Sequence, residues 1–316
     1  MLRASVIVPA RNAEATLPRT LRALAEQDFT GAYEVIVVDD GSSDQTAQLA
    51  RSAPGPVAVM AQPALGPAAA RNLGVARSQG AALAFCDADV FPTPGWLRAG
   101  VGALEQTDLV QGHVLADPGV QRGPFDRSLW ITSEVGLWET ASLFVSREVF
   151  ERTGGFEQWL EPRGGKALAE DVWFGWKARR LGARTAFCAE ALAYHAVFPR
   201  DWPGYVAEQR RAQYFPAMAA RMPELREHFL VGGFFLTPRS AIFDLGVLGG
   251  IVALASRSPL PLVAAVPYLR ELRRHTHRTP VTGPDRRAVA AADLAADLVG
   301  LGSMVAGSLR YRCLVL

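Results

Sequence analysis

The chain has 316 residues, 49% of them hydrophobic and 20% charged, with 33 Lys and Arg against 31 Asp and Glu for a formal net charge of +2. That length buries one large core or two smaller ones without a disulfide or metal staple, and so small a charge excess gives no footing to nucleic-acid binding. Cys86, Cys188 and Cys313 are far apart, odd in number and without CxxC or Cys/His spacing, so neither a disulfide framework nor a zinc site is expected and a reducing cytoplasm fits. Met1 to Ser5 runs directly into Val6-Ile7-Val8 with no apolar h-region, so no secretory signal is expected there. Mean hydropathy is +0.10, slightly high for an ordinary globular enzyme.

Ala4 to Pro9 is a nearly continuous β-branched run, the pattern of a strand covered on both faces of a parallel sheet. After the loop Pro9-Ala10-Arg11-Asn12-Ala13-Glu14, Leu17, Leu21 and Leu24 mark one face of a helix over about Ala15 to Gln27. Tyr33 to Val38 is a second buried strand ending in Asp39-Asp40-Gly41-Ser42, and Thr46 to Arg51 is helical. A short strand at Val57 to Met60 and a helix beginning near Gly66 follow. The next strand, Ala84-Phe85-Cys86, ends in Asp87-Ala88-Asp89. The β-α-β alternation specifies an α/β sheet, and a strand ending in Asp-x-Asp sets both carboxylates at the sheet edge where ligands bind. Alternate strand residues face one side, so Asp87 and Asp89 suit one hard cation or the phosphates on it, or equally a polar turn. Neither Gly-x-Gly-x-x-Gly nor a P-loop is present, so a nucleotide here must be held by side chains.

Val6-Ile7-Val8-Pro9-Ala10-Arg11-Asn12, Val37-Val38-Asp39-Asp40-Gly41-Ser42, Ala70-Arg71-Asn72-Leu73-Gly74 and Phe85-Cys86-Asp87-Ala88-Asp89, in that order, resemble the blocks of family 2 glycosyltransferases. The resemblance implies a GT-A fold, a Rossmann-like, mostly parallel central sheet flanked by helices, and inverting transfer from a nucleotide-sugar of UDP, GDP or dTDP type. It implies donor contacts at Pro9, Ala10, Arg11, Asn12, Glu14, Asp39, Asp40, Arg71, Asp87, Ala88 and Asp89, with Mn2+ or Mg2+ held by the Asp-x-Asp.

A helix opening at Pro94-Gly95-Trp96 and a strand at Leu109 to Val114 come next, then a loop-like stretch from Leu115 to Trp130. Trp138 to Arg147 and Gly154-Gly155-Phe156 resemble the family's acceptor-side block, with Gly154-Gly155 as a helix stop. Glu170-Asp171 opens an amphipathic helix that stops at Gly182. By the resemblance this pair is the catalytic dyad and Asp171 the base; acidic residues also complement the positive end of a helix dipole. The glycine-rich Glu161 to Leu168 segment, with Lys166, suggests a lid over the donor. Thr185 to Glu190 and Ala193 to His195 read as a last short strand and its exit, where the resemblance implies His195 as a third metal ligand and a lone histidine equally suits a purely structural place. Gln209 is followed three residues later by Ala212, which departs from the Gln-x-x-Arg-Trp of processive relatives and favours single addition. Arg210 and Arg211 suit either a diphosphate or a solvated helix face.

The excess hydropathy lies beyond Leu236. Ile242 to Ala255 and Leu260 to Pro267 are almost wholly apolar but each shorter than a spanning helix, and Ala288 to Leu309 is long enough but carries Asp293 and Asp297 on one face. Arg270, Arg273, Arg274, Arg278, Arg286 and Arg287 lie between them. Short apolar helices beside arginines suit a peripheral protein on an anionic cytoplasmic leaflet, acting on a glycan or lipid-linked acceptor; the competing role is packing or a homodimer interface. The expected division is a catalytic domain over 1–230, with halves 1–110 and 111–230, and a helical extension over 231–316. Rival activities are a sugar nucleotidyltransferase, which would want a glycine-rich loop with lysine near the amino terminus, and a catalytically silent membrane-bound scaffold.

Overall fold

Two β-branched runs build the middle of an eight-stranded sheet. In the computed structural model, which describes residues 3–161, 168–278 and 286–316, they are β1 (Ala4–Ala10) and β2 (Tyr33–Asp40). The helix α1 (Leu17–Ala25) between them buries Leu17, Leu21 and Leu24. The chain continues through α2 (Thr46–Arg51), β3 (Val57–Gln62), α3 (Pro67–Arg77), β4 (Ala82–Cys86), β5 (Val90–Pro92) and α4 (Trp96–Ala103). Then come β6 (Leu109–Ala116), β7 (Ser142–Ser146), α5 (Arg147–Thr153), α6 (Glu170–Arg180) and β8 (Thr185–His195).

The strand order is β3-β2-β1-β4-β7-β6-β8-β5. Strands β3 to β4 run parallel, β7 is antiparallel to both its neighbours, β6 and β8 are parallel, and β5 is antiparallel to β8. The central strands β1 and β4 are buried almost throughout, which is why their sequences do not alternate. The edge strand β3 is only partly covered. Helix α3 lies close on β1 because Gly74 carries no side chain: a Cβ there would stand 2.5 Å from Ile7 Cγ2. The last strand differs from expectation. Thr185 to His195 is one 11-residue strand, not a short strand and its exit, because after an irregularity between Cys188 and Leu192 it pairs with β6 again from His113 to Ala116.

Two units are distinguished, Met1–Gly119 with Ser128–Ala196, and Val120–Arg127 with Val197–Leu316. The expected boundary near residue 230 therefore falls inside the second unit. That unit comprises α7 (Trp202–Glu208), a 3-10 turn Gln209–Tyr214, α8 (Phe215–Arg221), α9 (Leu225–His228) and α10 (Pro238–Ser256), then a 3-10 segment Leu260–Ala265, α11 (Val266–Arg278) and α12 (Arg286–Tyr311). Asp293 and Asp297, the two acids of the last apolar stretch, are both partnered. Arg239 pairs with Asp297 at 2.7 Å and reaches Asp293 at 3.7 Å, while Tyr205, Tyr268 and His275 bond the same two carboxylates.

One expectation about the tail is corrected. The first apolar stretch is not short: Thr237 and Ser240 form a capping box with Pro238 in the first turn, so α10 starts early and runs 19 residues. By length and composition α10 and α12 are each long enough and apolar enough to cross a membrane, and the apolar window of α10 is largely uncovered by the protein.

Candidate active site

The carboxyl ends of β1, β2 and β4 share one edge of the sheet, and the site is assembled there. Loop 10–14 is tied to the turn after β2. Asn12 adopts φ 49, donates its backbone N–H to Ser42 Oγ and accepts from Ser43 through Oδ1, while Glu14 accepts from the Gln45 N–H. Asp39 is buried and accepts from the Ser42 N–H. Asp40 is spent on the chain itself, accepting from Gln62, Leu65 and Gly66 and so holding the loop that leads into α3. Pro9 and Ala10 are the last residues of β1, and Arg11 is exposed beyond them.

Arg71 reaches Glu170, 99 residues further along the chain. It stands one turn before Gly74 on the face of α3 that meets the sheet, and is 4% exposed. Its Nη2 bonds Asp87 Oδ1 at 2.8 Å and its Nη1 bonds Glu170 Oε1 at 3.1 Å. The Asp-x-Asp and the Glu-Asp pair are thus held by one guanidinium. Buried arginine with two carboxylate partners is far more favourable than any of the three alone. Arg71 Nε is buried without a hydrogen-bond partner among the described residues. The neighbouring Asn72 brackets Phe156, donating to its carbonyl at 2.8 Å and accepting from its N–H at 2.9 Å, which fixes the segment after Gly154-Gly155.

Helix α6 begins abruptly. Ala169 stands at φ 59, a conformation unusual for alanine, and Trp159 Nε1 donates to its carbonyl at 2.9 Å. Glu170 is buried against Arg71, whereas Asp171 joins neither ion pair and is only partly covered. Burial, then the charge of Glu170, raises the Asp171 carboxyl well above its ordinary range, and Arg71 opposes the shift without cancelling it. The glycine-rich segment expected as a lid over the donor, and Lys166, expected either near substrate phosphate or facing solvent, fall at residues 162–167, outside the described residues. Arg210 and Arg211 are exposed residues of the second unit.

Strand pairing brings the histidine in. Val90 of β5 is opposite His195 of β8, so Asp89, one residue earlier, faces it: Asp89 Oδ2 lies 3.6 Å from His195 Nε2. His195 Nδ1 is 2.6 Å from the Ala196 carbonyl, so in the neutral ring Nδ1 carries the proton and Nε2 turns its lone pair toward the carboxylate. An oxygen and an imidazole nitrogen facing each other in this way fit Mn2+ as a donor set better than Mg2+, which prefers an all-oxygen shell. Among the described residues no group of three or more His, Cys, Asp or Glu side chains converges on one point. Asp87, the other carboxylate of the Asp-x-Asp, is bonded to Arg71.

Glu139 was not singled out in the sequence. It adjoins Trp138, which sits at φ 54 against α6, and burial pushes its carboxyl up to about 7. The available signal was Gly175 inside a helix, where a Cβ would stand 1.9 Å from Trp138 Cδ1.

Residues 5–157 match the model of Glycosyl transferase family 2. Glycosyltransferase AglE of Haloferax volcanii is 31% identical over 210 residues, covering 62% of this chain and 67% of that protein. The chain belongs to glycosyltransferase family 2. A second member, the pre-mycofactocin glycosyltransferase of Mycobacterium tuberculosis, is 28% identical over 95% of this chain and 64% of its own length, so this family 2 chain spans about two thirds of either relative. Its fold is shared with the mannosyltransferase PcManGT of Pyrobaculum calidifontis in complex with GDP-Man and Mn2+, at 22% identity, a TM-score of 0.57 and coverage of 98% of this chain and 87% of that one. It is also shared with Staphylococcus aureus TarS 1-349 in complex with UDP-GlcNAc, at 18% identity, a TM-score of 0.51 and coverage of 99% and 93%. The expected α/β GT-A architecture is thereby borne out.

Proposed function

We propose that this family 2 glycosyltransferase moves a single sugar from a nucleotide-sugar donor to an acceptor hydroxyl, with inversion at the anomeric carbon and Asp171 as the base. The observation that carries the reading is the Arg71 bridge, which ties Asp87 to Glu170 and leaves Asp171 outside both ion pairs. In the reaction the acceptor oxygen attacks the anomeric carbon as the sugar–diphosphate C–O bond breaks. The electron pair of that bond leaves with the nucleoside diphosphate, and the hydroxyl proton passes to the Asp171 carboxylate. A carboxylate whose proton affinity is raised by burial and by Glu170 is a stronger acceptor for that proton. Glu170 stays with Arg71 and positions the start of α6.

The loop Pro9-Ala10-Arg11-Asn12 with Glu14, and the turn carrying Asp39 and Asp40, receive the nucleotide; Ala88 and the Asp-x-Asp meet the diphosphate. Asp89 and His195 would hold the divalent ion, and Asp87 remains with Arg71. What Mn2+ or Mg2+ supplies when bound is charge neutralisation at the leaving diphosphate. The GDP-Man with Mn2+ and the UDP-GlcNAc seen in the two solved neighbours support a donor of this class. We place the enzyme on the cytoplasmic face of an anionic membrane, with a glycan or lipid-linked acceptor, a reading supported by the apolar α10 and the arginines that follow it.

A thermal-shift panel of UDP-, GDP- and dTDP-sugars with and without Mn2+ tests this. One nucleotude class should raise Tm in a Mn2+-dependent way, by an amount equivalent to about 2.7 kcal/mol at a hundredfold excess over Kd. Asp89→Asn and His195→Ala should each remove the Mn2+-dependent part. A panel without any shift would overturn the reading.

A further inference from the structure

The second unit carries a helical hairpin whose outer side is left uncovered among the described residues of that unit. Its first limb is α10 and its second is the 3-10 segment Leu260–Ala265 leading into α11. The limbs lie against each other because α10 presents glycines: a Cβ on Gly249 would stand 2.5 Å from the Pro261 carbonyl oxygen, and one on Gly246 would stand 3.2 Å from Ala265 Cα. Phe243 closes the pair against Tyr268, ring centroids 4.9 Å apart. With the limbs fused, Leu245, Leu248, Ile251 and Val263 point outward, and Leu254 and Leu260, on either side of the turn, are 84% and 80% exposed. Side chains of this size gain about 25 cal/mol for each Å2 removed from water, so the hairpin has a strong reason to find cover.

Charge decides what covers it. Arg257 stands in the turn with φ 52. At the other end Arg270, Arg273, Arg274 and His277 recur at helical spacing on one exposed face of α11 and line a shallow surface depression. Arg274 reaches Glu271 at 3.8 Å, and His277 lies 3.1 Å from Arg286. A second copy of so basic a surface would be repelled, whereas an anionic leaflet offers both the hydrocarbon and the counter-charge. Orientation follows from the same arginines. A hairpin driven in tip first would carry Arg257 toward the bilayer centre, where a charge costs at least about 2.5 kcal/mol. Lying along the interface keeps both charged ends at headgroup level and the leucines between them in the acyl boundary, about 5–10 Å deep.

We propose that the α10–α11 hairpin is an in-plane membrane-docking element, with the Arg270-Arg273-Arg274 stripe binding the phosphates of anionic lipids. The proposal rests on the membrane-surface reading above and specifies the element, its orientation and the lipid class.

Co-sedimentation of the full chain with phosphatidylcholine vesicles, with and without 30% phosphatidylserine, tests it without donor or metal. Expected are at least about tenfold tighter binding to the anionic vesicles, release by high salt or alkaline wash, loss of that preference in R270E/R273E/R274E, and loss of all binding in L248E/I251E. Circular dichroism and the nucleotide-induced thermal shift check that both variants fold. Equal binding to both vesicle types overturns the proposal, as does a wild-type chain that stays soluble. Resistance to alkaline wash would mean a spanning hairpin, and concentration-dependent dimers abolished by L248E/I251E would mean a second copy; either overturns it. Transferase failure is read separately, since a chain that binds vesicles but transfers nothing defeats the functional reading alone.

Discussion

Arg71, Asp171 and Glu139 form an electrostatic chain in which each group sets the next. The two carboxylates bonded to Arg71 already outnumber its single positive charge, so Asp171 would add a further negative charge beside Glu170, and burial holds it protonated to a higher pH than an ordinary aspartate. Glu139 adds to that shift, and its own carboxyl is up at about 7 against 4.5 for a free side chain. A carboxyl whose folded value is raised favours the folded state most below its free value, and that contribution is lost as pH climbs through 7. Glu139→Gln should therefore raise stability near pH 8, on the order of 1–3 kcal/mol, and leave it unchanged near pH 4 in urea unfolding. The same variant should move the acidic limb of the kcat/KM profile to lower pH, because one charge opposing Asp171 ionisation is gone. The resemblance singled out Asp87, Glu170 and Arg71 one by one, but not that a single guanidinium joins them, because that contact forms only where α3 and α6 come together over the sheet.

Elements were legible where burial is uniform. Val6-Ile7-Val8 and Val35 to Val38 announce central strands because both faces are covered, and the Asp-x-Asp marks where β4 leaves the sheet. The length of β8 was not, because the strand resumes its pairing with β6 at Leu192 after residues 189–191 drop out of register. The early start of α10 is written in Thr237-Pro238-Arg239-Ser240, a capping signal that lies outside the apolar run. At the join between Trp138 and α6, packing leaves no room: the glycine at 175 lets the helix carrying Glu170 and Asp171 lie against the indole. Gly175→Ala should cost about 1–3 kcal/mol in denaturant unfolding despite alanine's better helix propensity, and a stabilised variant would contradict that packing.

Across the whole molecule two kinds of chemistry are kept in separate units. The first unit holds the carboxylates, the arginine bridge and the histidine; the second holds a charged network around Asp293 and Asp297 and an apolar hairpin with arginine at both ends. Composition foretold the second as surplus hydropathy, but whether the surplus faced inward or outward depended on limb packing that no periodicity reports. The decisive measurement is a comparison of wild type and Asp171→Asn, with transfer followed by product formation and donor binding by calorimetry. Transfer should fall by about 10²–10⁴-fold while donor Kd stays within a few-fold. A variant that transfers at the wild-type rate, or one that no longer binds donor, would contradict the assignment of Asp171 as the base.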